Sequence, residues 1–297
     1  MKEKGELIAL GGTAEVFTWG DNQVLKLLLE GYPASDVERE ARVTEAAHQF
    51  GLPVPAVEGV VEMDGRWGIV FERVEGPSML IAMSKRGKFA VYARMLAELH
   101  AGIHSREITE LPSQREMLES RIKEVMAAVA SLTENTPEER EQLRRVIEGA
   151  LEVLGQLPDG SAVCHGDYHP DNIIISARGP IIIDWLDATK GNPLADVART
   201  SLLFRVSVPP GAGPVLRYIT HLGGSLLNSI YLKKYLRLRS VTREEIAAWL
   251  PVIAVARLTD NISDEEKWRL IRVIETGLKG KAEDAGLRLL RRLRASQ

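Results

Sequence analysis

The stretch Val163–Trp185 constrains this chain most, because it places polar side chains on both sides of a predicted hairpin. Two isoleucine-rich runs, Ile173–Ile175 and Ile181–Ile183, are typical of short buried strands, and the turn formers Ser176–Pro180 join them. A hairpin brings its two ends together, so the polar residues that flank it are expected to meet. They are His165, Asp167, His169, Asp171 and Asn172 before the hairpin and Asp184 after it. Charge buried without partners is costly, so this cluster predicts a cation, a substrate or a network of ion pairs.

The spacing within the cluster indicates a more specific chemistry. Asp167 and Asn172 lie five residues apart, as do the aspartate and asparagine of the protein-kinase catalytic loop HRDxxxxN. In that loop the aspartate accepts the proton of the attacking hydroxyl, and the asparagine binds Mg²⁺ together with a second aspartate after the next strand. Asp184 occupies this second position, although Trp185 follows it in place of Phe-Gly. Asp167 is therefore the predicted catalytic base, and Asn172 and Asp184 are the predicted Mg²⁺ ligands.

At this point the sequence resembles a known family. His165-Gly-Asp-Tyr-His-Pro-Asp-Asn172, followed by Ile183-Asp-Trp185, is similar to the motifs of the aminoglycoside phosphotransferase family, kinase-like enzymes that phosphorylate small molecules. The resemblance extends over about Leu7 to Arg199. It implies an α+β, two-lobed, protein-kinase-like fold, with a small antiparallel-sheet N-lobe for nucleotide at 1–75 and a larger helical C-lobe for catalysis and substrate at 76–297. It also implies ATP and Mg²⁺ as cofactors.

The same resemblance suggests roles for three further residues. His165 is expected to maintain the geometry of the catalytic loop; a zinc site shared with His169 is disfavoured, because no further Cys or His ligands lie nearby. Asp196 belongs to a segment similar to the family's G-x-P-x-x-D-x-A pattern, and by resemblance it holds the catalytic loop through hydrogen bonds. Asp187 is a candidate residue to face the substrate, and the alternative is that its side chain caps a turn. The loop Ser207–Pro214 is expected to border the acceptor pocket.

The N-terminal segment predicts three strands, with a glycine-rich turn between the first two. Gly11, Gly12 and Thr13 allow close approach of the backbone to a phosphate, although these residues by themselves favour a plain hairpin turn. Lys26 lies in the apolar strand Val24–Leu29, where it either extends to solvent or binds the α and β phosphates of ATP. Its position in the strand after the glycine turn favours phosphate binding.

A helix is predicted from Ser35 to Phe50, with Ser35 and Glu38 as a capping box and Gly51 as its end. Glu40 falls on the apolar face of this helix, where an unpaired carboxylate is unfavourable. Glu40 is therefore the predicted partner of Lys26, with Glu38 as the alternative.

Two strands, Val57–Met63 and Trp67–Arg73, are predicted to form a hairpin around Asp64-Gly65. The residues that follow resemble the hinge of the family. Glu72 and Val74 are the predicted backbone contacts of adenine, and an ordinary strand end is the alternative.

The remaining periodicity is helical, at Lys88–Ile103, at Ser113–Leu132, at Thr136–Leu157, and from near Thr242 and Ser263. We expect His100 and His104 at the surface or the end of their helix rather than as ligands.

Composition and charge limit the classes of function. The chain has 297 residues, one cysteine (Cys164), no bilayer-length apolar run and no signal-peptide core at its N-terminus, which predicts the cytoplasm.

Residues 200–297 carry 17 basic and 9 acidic side chains, a net charge of +8. Residues 1–199 carry 21 basic and 32 acidic side chains, a net charge of −11. A cationic C-terminal part weighs against polycationic aminoglycosides as acceptors, unless the charge lies on outer helix faces such as Lys233–Arg239 or Arg288–Arg294.

The predicted function is transfer of the γ-phosphoryl group of ATP to a hydroxyl of a small molecule. The alternatives are a nucleotide-binding pseudokinase and a kinase that acts on protein, the latter disfavoured because no APE-like segment follows Asp184. Nucleic-acid binding by the basic C-terminal helices is disfavoured by the net charge of −3 and the 5% aromatic content.

Overall fold

The computed structural model describes residues 4–85, 87–131, 136–207, 214–260 and 262–278. The chain forms two compact units. One unit, here called the sheet unit, comprises Met1–Tyr92 and His165–Ala188, and the helical unit comprises Ala93–Cys164 and Thr189–Gln297. The lobe boundary predicted after residue 75 stays a prediction. Most of the predicted loop 207–214 and the basic segment 288–294 lie outside the described residues.

The sheet unit is built on a five-stranded antiparallel sheet with the strand order β1-β2-β3-β5-β4. Its strands are β1 (Lys4–Leu10), β2 (Ala14–Trp19), β3 (Gln23–Leu28), β4 (Val57–Met63) and β5 (Arg66–Glu72). The last two strands are joined by Asp64 and Gly65, both with positive φ (53° and 70°), as a tight hairpin of primed geometry requires. The strands predicted from the sequence are therefore all present.

One helix of 16 residues, α1 (Ala34–Gln49), packs on one face of this sheet. Its Val37 and Ala41 join Leu28, Ile69 and Phe71 in one buried cluster. Side chains alternate along a strand, so Lys26 points to the same face as Leu28 and therefore towards α1.

The predicted capping box of α1 is wrong. Pro33 is the N-cap residue, and no side chain caps the helix there. Because the helix begins at Ala34, Ser35 lies inside its first turn, where its hydroxyl is not at the capping position. The predicted end is confirmed, since Gly51 follows the helix with a φ of 74°.

The rest of the sheet unit contains a short helix and a hairpin. They are α2 (Met79–Met83), β7 (Ile173–Ser176) and β8 (Gly179–Ile182). The strand β6 (Ala162–Cys164) pairs instead with β9 (Thr189–Gly191) in the helical unit.

The helical unit packs its helices around one fully apolar segment. Its elements are α3 (Phe89–Ile103, whose first turn belongs to the sheet unit), α4 (Gln114–Ala130), α5 (Pro137–Gln156), α6 (Pro193–Val206), α7 (Pro214–Arg239), α8 (Arg243–Ala247), α9 (Leu250–Ala256) and α10 (Asp264–Gly277). The buried residues 251–256 of α9 pack among α4, α5, α6 and α10, as expected of a helix that is apolar all round. Capping boxes begin α5, α8 and α10, at Thr136, Thr242 and Ser263. Within the described ranges, no helix combines the length and the apolar character needed to cross a membrane.

Of the two positions expected for His100 and His104, the end of the helix is confirmed. The surface position is wrong, since only 0% and 2% of their surface is accessible. His100 lies in the last turn of α3, on the buried side that also carries Leu96 and Ile103, and His104 follows directly after the end of this helix.

Candidate active site

The hairpin β7–β8 places the catalytic-loop residues at one end of a buried ribbon. Ile173 pairs with Ile182, and the N–H of Ile183 donates to the carbonyl of Asn172 at 3.0 Å. This bond joins the chain just before the hairpin to the chain just after it. The prediction that the polar residues before and after the hairpin meet is thus confirmed by backbone geometry.

Asp167 and Asn172 are held together across the loop. The Asn172 amide nitrogen donates to the backbone carbonyl of Asp167 at 2.9 Å and contacts its carboxylate Oδ2 at 3.3 Å. Asn172 is nearly buried, whereas 30% of the Asp167 side chain is exposed. Because the Asn172 nitrogen faces Asp167, its amide oxygen is the atom oriented away from that carboxylate.

His165 links the catalytic loop to the end of the hairpin. Its Nδ1 accepts the N–H of Asp167 at 3.2 Å, and its Nε2 lies 3.1 Å from the carbonyl of Ile183. This pair of bonds requires the neutral tautomer that carries its proton on Nε2. The ring is fully buried against Trp185 and Tyr168, so both hydrogen bonds are sheltered from water. These contacts are those expected of a residue that maintains loop geometry.

Gly166 shows why this loop tolerates no side chain at its second position. Its φ is +80°, and a Cβ there would lie 2.3 Å from the carbonyl oxygen of Asp187. The backbone around Asp187 therefore packs directly on the catalytic loop. The predicted role of the Asp187 side chain at the substrate stays a prediction.

Lys26 lies between two carboxylates. Its Nζ is 2.7 Å from Glu40 Oε1 and 2.7 Å from Asp184 Oδ1, so the predicted pair of Lys26 and Glu40 is present. Glu40 is 1% exposed, and Asp184 is 34% exposed. One carboxylate is thus enclosed behind the lysine while the other stays open to solvent. The alternative partner, Glu38, lies on the exposed side of α1 beside Arg42.

The charge state of Lys26 follows from these neighbours. Burial by itself lowers the pKa of the Lys26 ammonium, but the carboxylates of Glu40 and Asp184 outweigh burial and hold this pKa above its usual value. Lys26 is therefore a fixed cation, oriented by two hydrogen bonds.

Asp184 has an unusual backbone conformation. Its φ of 66° falls in the left-handed region, which aspartate adopts more readily than most residues but still at a cost of about 1 kcal/mol. The following residue, Trp185, is fully buried and donates its indole N–H to the carbonyl of Ile182 at 3.1 Å. This anchor holds the turn that directs the Asp184 carboxylate towards Lys26.

The glycine turn between β1 and β2 is exposed. Gly11 donates its N–H to the carbonyl of Ala14 at 2.8 Å, which closes the turn, and a Cβ at Gly12 would meet no other atom. Contacts within the protein therefore give little reason for glycine to occupy positions 11 and 12. The role of Gly11, Gly12 and Thr13 in phosphate binding stays a prediction.

The predicted hinge follows β5. The N–H of Glu72 donates to the carbonyl of Ala56 at 3.0 Å, so this donor is already used inside the sheet unit. The Glu72 carboxylate pairs with Arg178, in the turn of the β7–β8 hairpin, at 2.8 Å. Val74 is half-buried just beyond the strand. No local pattern predicts the pair with Arg178, which lies 106 residues away.

His169 was not predicted to contact Asp167, the predicted catalytic base, yet its Nε2 lies 3.4 Å from Asp167 Oδ2. Its Nδ1 accepts the N–H of Asp171 at 3.3 Å. Burial lowers the pKa of the His169 imidazole, but its contact with the Asp167 carboxylate outweighs this and raises the pKa above its usual value.

Asp196 lies in the helical unit, in the first turn of α6, within a buried network. Its Oδ2 is 3.0 Å from His100 Nε2 and 3.3 Å from His104 Nε2. The two Nδ1 atoms contact the hydroxyls of Tyr231 and Tyr235, at 2.7 and 2.6 Å respectively. Although burial raises the pKa of the Asp196 carboxyl, the two imidazoles hold it well below its usual range. Burial lowers the pKa of His104, which favours a neutral ring beside an ionised carboxylate.

We compared the chain with known proteins. The model of the phosphotransferase enzyme family matches residues 6–233, more than half of the chain. Acyl-CoA dehydrogenase family member 10 of Mus musculus is 27% identical over an alignment length of 201, and the match covers 62% of this chain and 18% of that protein. The chain thus spans about a fifth of the length of this curated relative.

Two solved structures illustrate the similarity of fold. A thermostable aminoglycoside phosphotransferase APH(4)-Ia, in complex with AMP-PNP and hygromycin B, aligns with a TM-score of 0.66 at 14% identity, over 94% of this chain and 95% of that chain. A choline/ethanolamine kinase family protein from Mesorhizobium loti aligns with a TM-score of 0.58 at 15% identity, over 98% of this chain and 92% of that chain. The predicted α+β, protein-kinase-like fold is confirmed.

Proposed function

We propose that this chain, which belongs to the phosphotransferase enzyme family, transfers the γ-phosphoryl group of ATP to a hydroxyl of a small molecule. One observation carries the proposal. In a single compact unit, the cation Lys26 is fixed by Glu40 and Asp184, and the Asp167–Asn172 loop is bonded to the strand end that precedes Asp184.

Asp167 is the proposed catalytic base. A partly exposed carboxylate, braced through its backbone by Asn172 and His165, is placed to orient an incoming hydroxyl. Its Oδ atoms accept the hydroxyl proton as the oxygen bonds to phosphorus, and ADP leaves. Phosphoryl transfer depends mainly on positioning and electrostatics, so a rigid loop contributes directly to rate.

Lys26 is the proposed ligand of the α and β phosphates, and Glu40 positions it. Since Lys26 is held as a cation on a central strand, it supplies positive charge without reorganisation when nucleotide binds. The turn of Gly11, Gly12 and Thr13 is proposed to cover the phosphates with its backbone N–H groups.

The residues present fit Mg²⁺. Asn172 and Asp184 offer an amide oxygen and a carboxylate that is 34% exposed, and such hard oxygen donors suit this ion. These two residues would hold the ion, which would supply positive charge to offset the charge of the phosphates. The adenine is proposed to contact the carbonyl of Glu72 and the N–H of Val74. The Glu72 N–H is already donated to Ala56, which leaves its carbonyl as the ligand group.

The neighbours of this fold support nucleotide use and a small acceptor. One was solved with AMP-PNP and hygromycin B, and another belongs to the choline/ethanolamine kinases. These acceptors differ widely, so the proposed acceptor is a small hydroxyl compound, with Asp187 as a candidate contact.

The cytoplasm stays the predicted location, because a single cysteine suits a reducing compartment.

The direct test is ADP release from Mg·ATP across a panel of aminoglycosides, macrolides, choline, homoserine, methylthioribose and simple sugars. We expect at least one compound to stimulate wild-type release, and Asp167→Asn to lower that rate by about 10²–10⁴-fold. Asp171→Asn is the matched control. It makes the same chemical change in the same loop, at an exposed carboxylate bonded to Ser78. Equal rates for wild type and Asp167→Asn would overturn the assignment of the base.

A further inference from the structure

The helical unit contains a groove of about 1100 Å³, formed where the end of α6, the middle of α7, the α8–α9 region and one face of α10 meet. Drug-sized ligands occupy cavities of about 300–1000 Å³, so a small molecule fits here. Arg205, in the last turn of α6, lines the groove, whereas Asp196 lies in the first turn of the same helix. Because an α-helix rises 1.5 Å per residue, Arg205 lies about 13 Å from Asp196 along the axis of α6.

One continuous face of α10 forms a wall of this groove. Its lining residues recur at the three- and four-residue spacing of a helix face: Glu265, Trp268, Arg269, Arg272, Val273 and Thr276. The wall combines guanidinium groups with an indole ring. It is therefore a surface of mixed cationic and aromatic character.

Two of these guanidinium groups are held in place. Arg269 donates to Glu265 Oε1 at 2.8 Å and to the carbonyl of Val206 at 3.5 Å. The Arg272 guanidinium carbon lies 4.8 Å from the centre of the Trp268 ring, which is the geometry of a cation–π contact. Groups that are already ordered lose less entropy when they bind a ligand.

The charge of the groove is positive. Among the described residues that line it, the charged ones are three arginines, Arg205, Arg269 and Arg272, and one glutamate, Glu265, with His221 as a further titratable group. All of them belong to the C-terminal part of the chain that carries the +8 charge. Arginine forks match the geometry of carboxylate and phosphate oxygens.

The rest of the lining is mostly apolar. Val206, Ala247, Leu250 and Pro251 lie beside the cationic wall. A ligand that matches both parts carries an anionic head next to an apolar or aromatic body.

We propose that this groove binds a small molecule with a carboxylate or phosphate group attached to an apolar or aromatic body. Complementarity of charge favours this class and disfavours polycations. The inference concerns binding in the helical unit and does not depend on phosphoryl transfer.

The test is a fluorescence titration of the full chain with anilinonaphthalenesulfonate, an anionic aromatic probe, in the absence of nucleotide. Four compounds with the same phenylbutyl body then compete with it: phenylbutyrate, phenylbutyl phosphate, phenylbutanol and phenylbutylamine. We expect one or both anions to displace the probe at concentrations at least tenfold below the alcohol and the amine. The two anionic arms distinguish a carboxylate ligand from a phosphate ligand.

Variants locate the binding. Arg272→Gln and Arg269→Gln are each expected to weaken probe binding by about tenfold, the loss of one charge-assisted contact. Arg237→Gln, an exposed arginine on α7 outside the lining, is the matched control and is expected to leave it unchanged. Because Arg272 is exposed, its replacement should leave the fold intact, which circular dichroism checks. Equal binding by wild type and both groove variants, or equal displacement by the amine and the anions, would overturn the proposal.

Discussion

The two compact units each bury a carboxylate among polar partners, but they arrange these partners differently. In the sheet unit, Lys26 contacts the enclosed Glu40 and the exposed Asp184. In the helical unit, Asp196 is fully enclosed, and its imidazole partners contact two tyrosine hydroxyls. The first arrangement keeps charge accessible to a ligand, whereas the second satisfies its polar groups inside the protein. The comparison teaches that a buried charge does not by itself indicate a binding site. A buried cluster in which one charged group stays accessible to solvent is the better indication.

The largest expected effect is at Lys26. Lys26→Met leaves the carboxylate of Glu40 buried without its cation, so we expect the free energy of unfolding to fall by about 3 kcal/mol. We also expect stabilisation by Mg·ATP, about 2.7 kcal/mol for wild type at a hundredfold excess over Kd, to be lost. Chemical denaturation with and without Mg·ATP measures both quantities.

The double variant Lys26→Met/Glu40→Gln sharpens this result. Removing the buried charge should recover much of the stability but none of the nucleotide effect. A Lys26→Met protein that Mg·ATP stabilises as fully as wild type would contradict the nucleotide role of this lysine.

The next effect is at Asp196. Asp196→Asn removes the charge that accepts from two imidazoles, and we expect a loss of about 2 kcal/mol in the free energy of unfolding. Asp159→Asn is the control, because this carboxylate is 63% exposed beside Arg115 and should change stability by less than about 0.5 kcal/mol. Urea denaturation of both variants gives the comparison, and similar losses would mean that the network adds no stability.

Acid should weaken the helical network in two stages. The pKa of His104 is lowered in the folded protein, so the unfolded chain takes up the proton first and stability falls as the pH drops below about 6.5. The pKa of Asp196 is also lowered, so its contribution is present above about pH 4 and is lost as the pH falls through the folded value. We expect a loss of about 1–2 kcal/mol between pH 7 and 5, measured by urea denaturation. His104→Gln should flatten this dependence, and an unchanged slope would show that His104 does not cause it.

The smallest effect is at His169. Its pKa is raised by contact with Asp167, so its contribution to stability is complete below about pH 6.5 and is lost as the pH rises through the folded value. NMR titration should give a pKa above the ordinary value in wild type and a lower one in Asp167→Asn. Identical His169 titrations in the two proteins would rule out the contact.

These residues also show what the sequence predicts and where local patterns stop. The place of Glu40 on the apolar face of its helix is a local pattern, and the contact with Lys26 that it predicted is present. The spacing of Asp167 and Asn172 predicted their roles, whereas the hydrogen bond between them was not predicted. The capping box at Ser35 was wrong because Pro33 fixes an earlier helix start. The surface position expected for His100 and His104 was wrong because Asp196 lies more than 90 residues away, so no local pattern reports their partner.

Simultaneous measurement of turnover and stability in Asp167→Asn tests the central claim most directly, with the acceptor found in the panel and with Asp171→Asn as the control. If the sheet unit keeps its catalytic carboxylate accessible for chemistry, turnover should fall by about 10²–10⁴-fold while the free energy of unfolding changes by less than about 0.5 kcal/mol. A variant that keeps wild-type turnover, or one that loses activity only because it unfolds, would contradict the account.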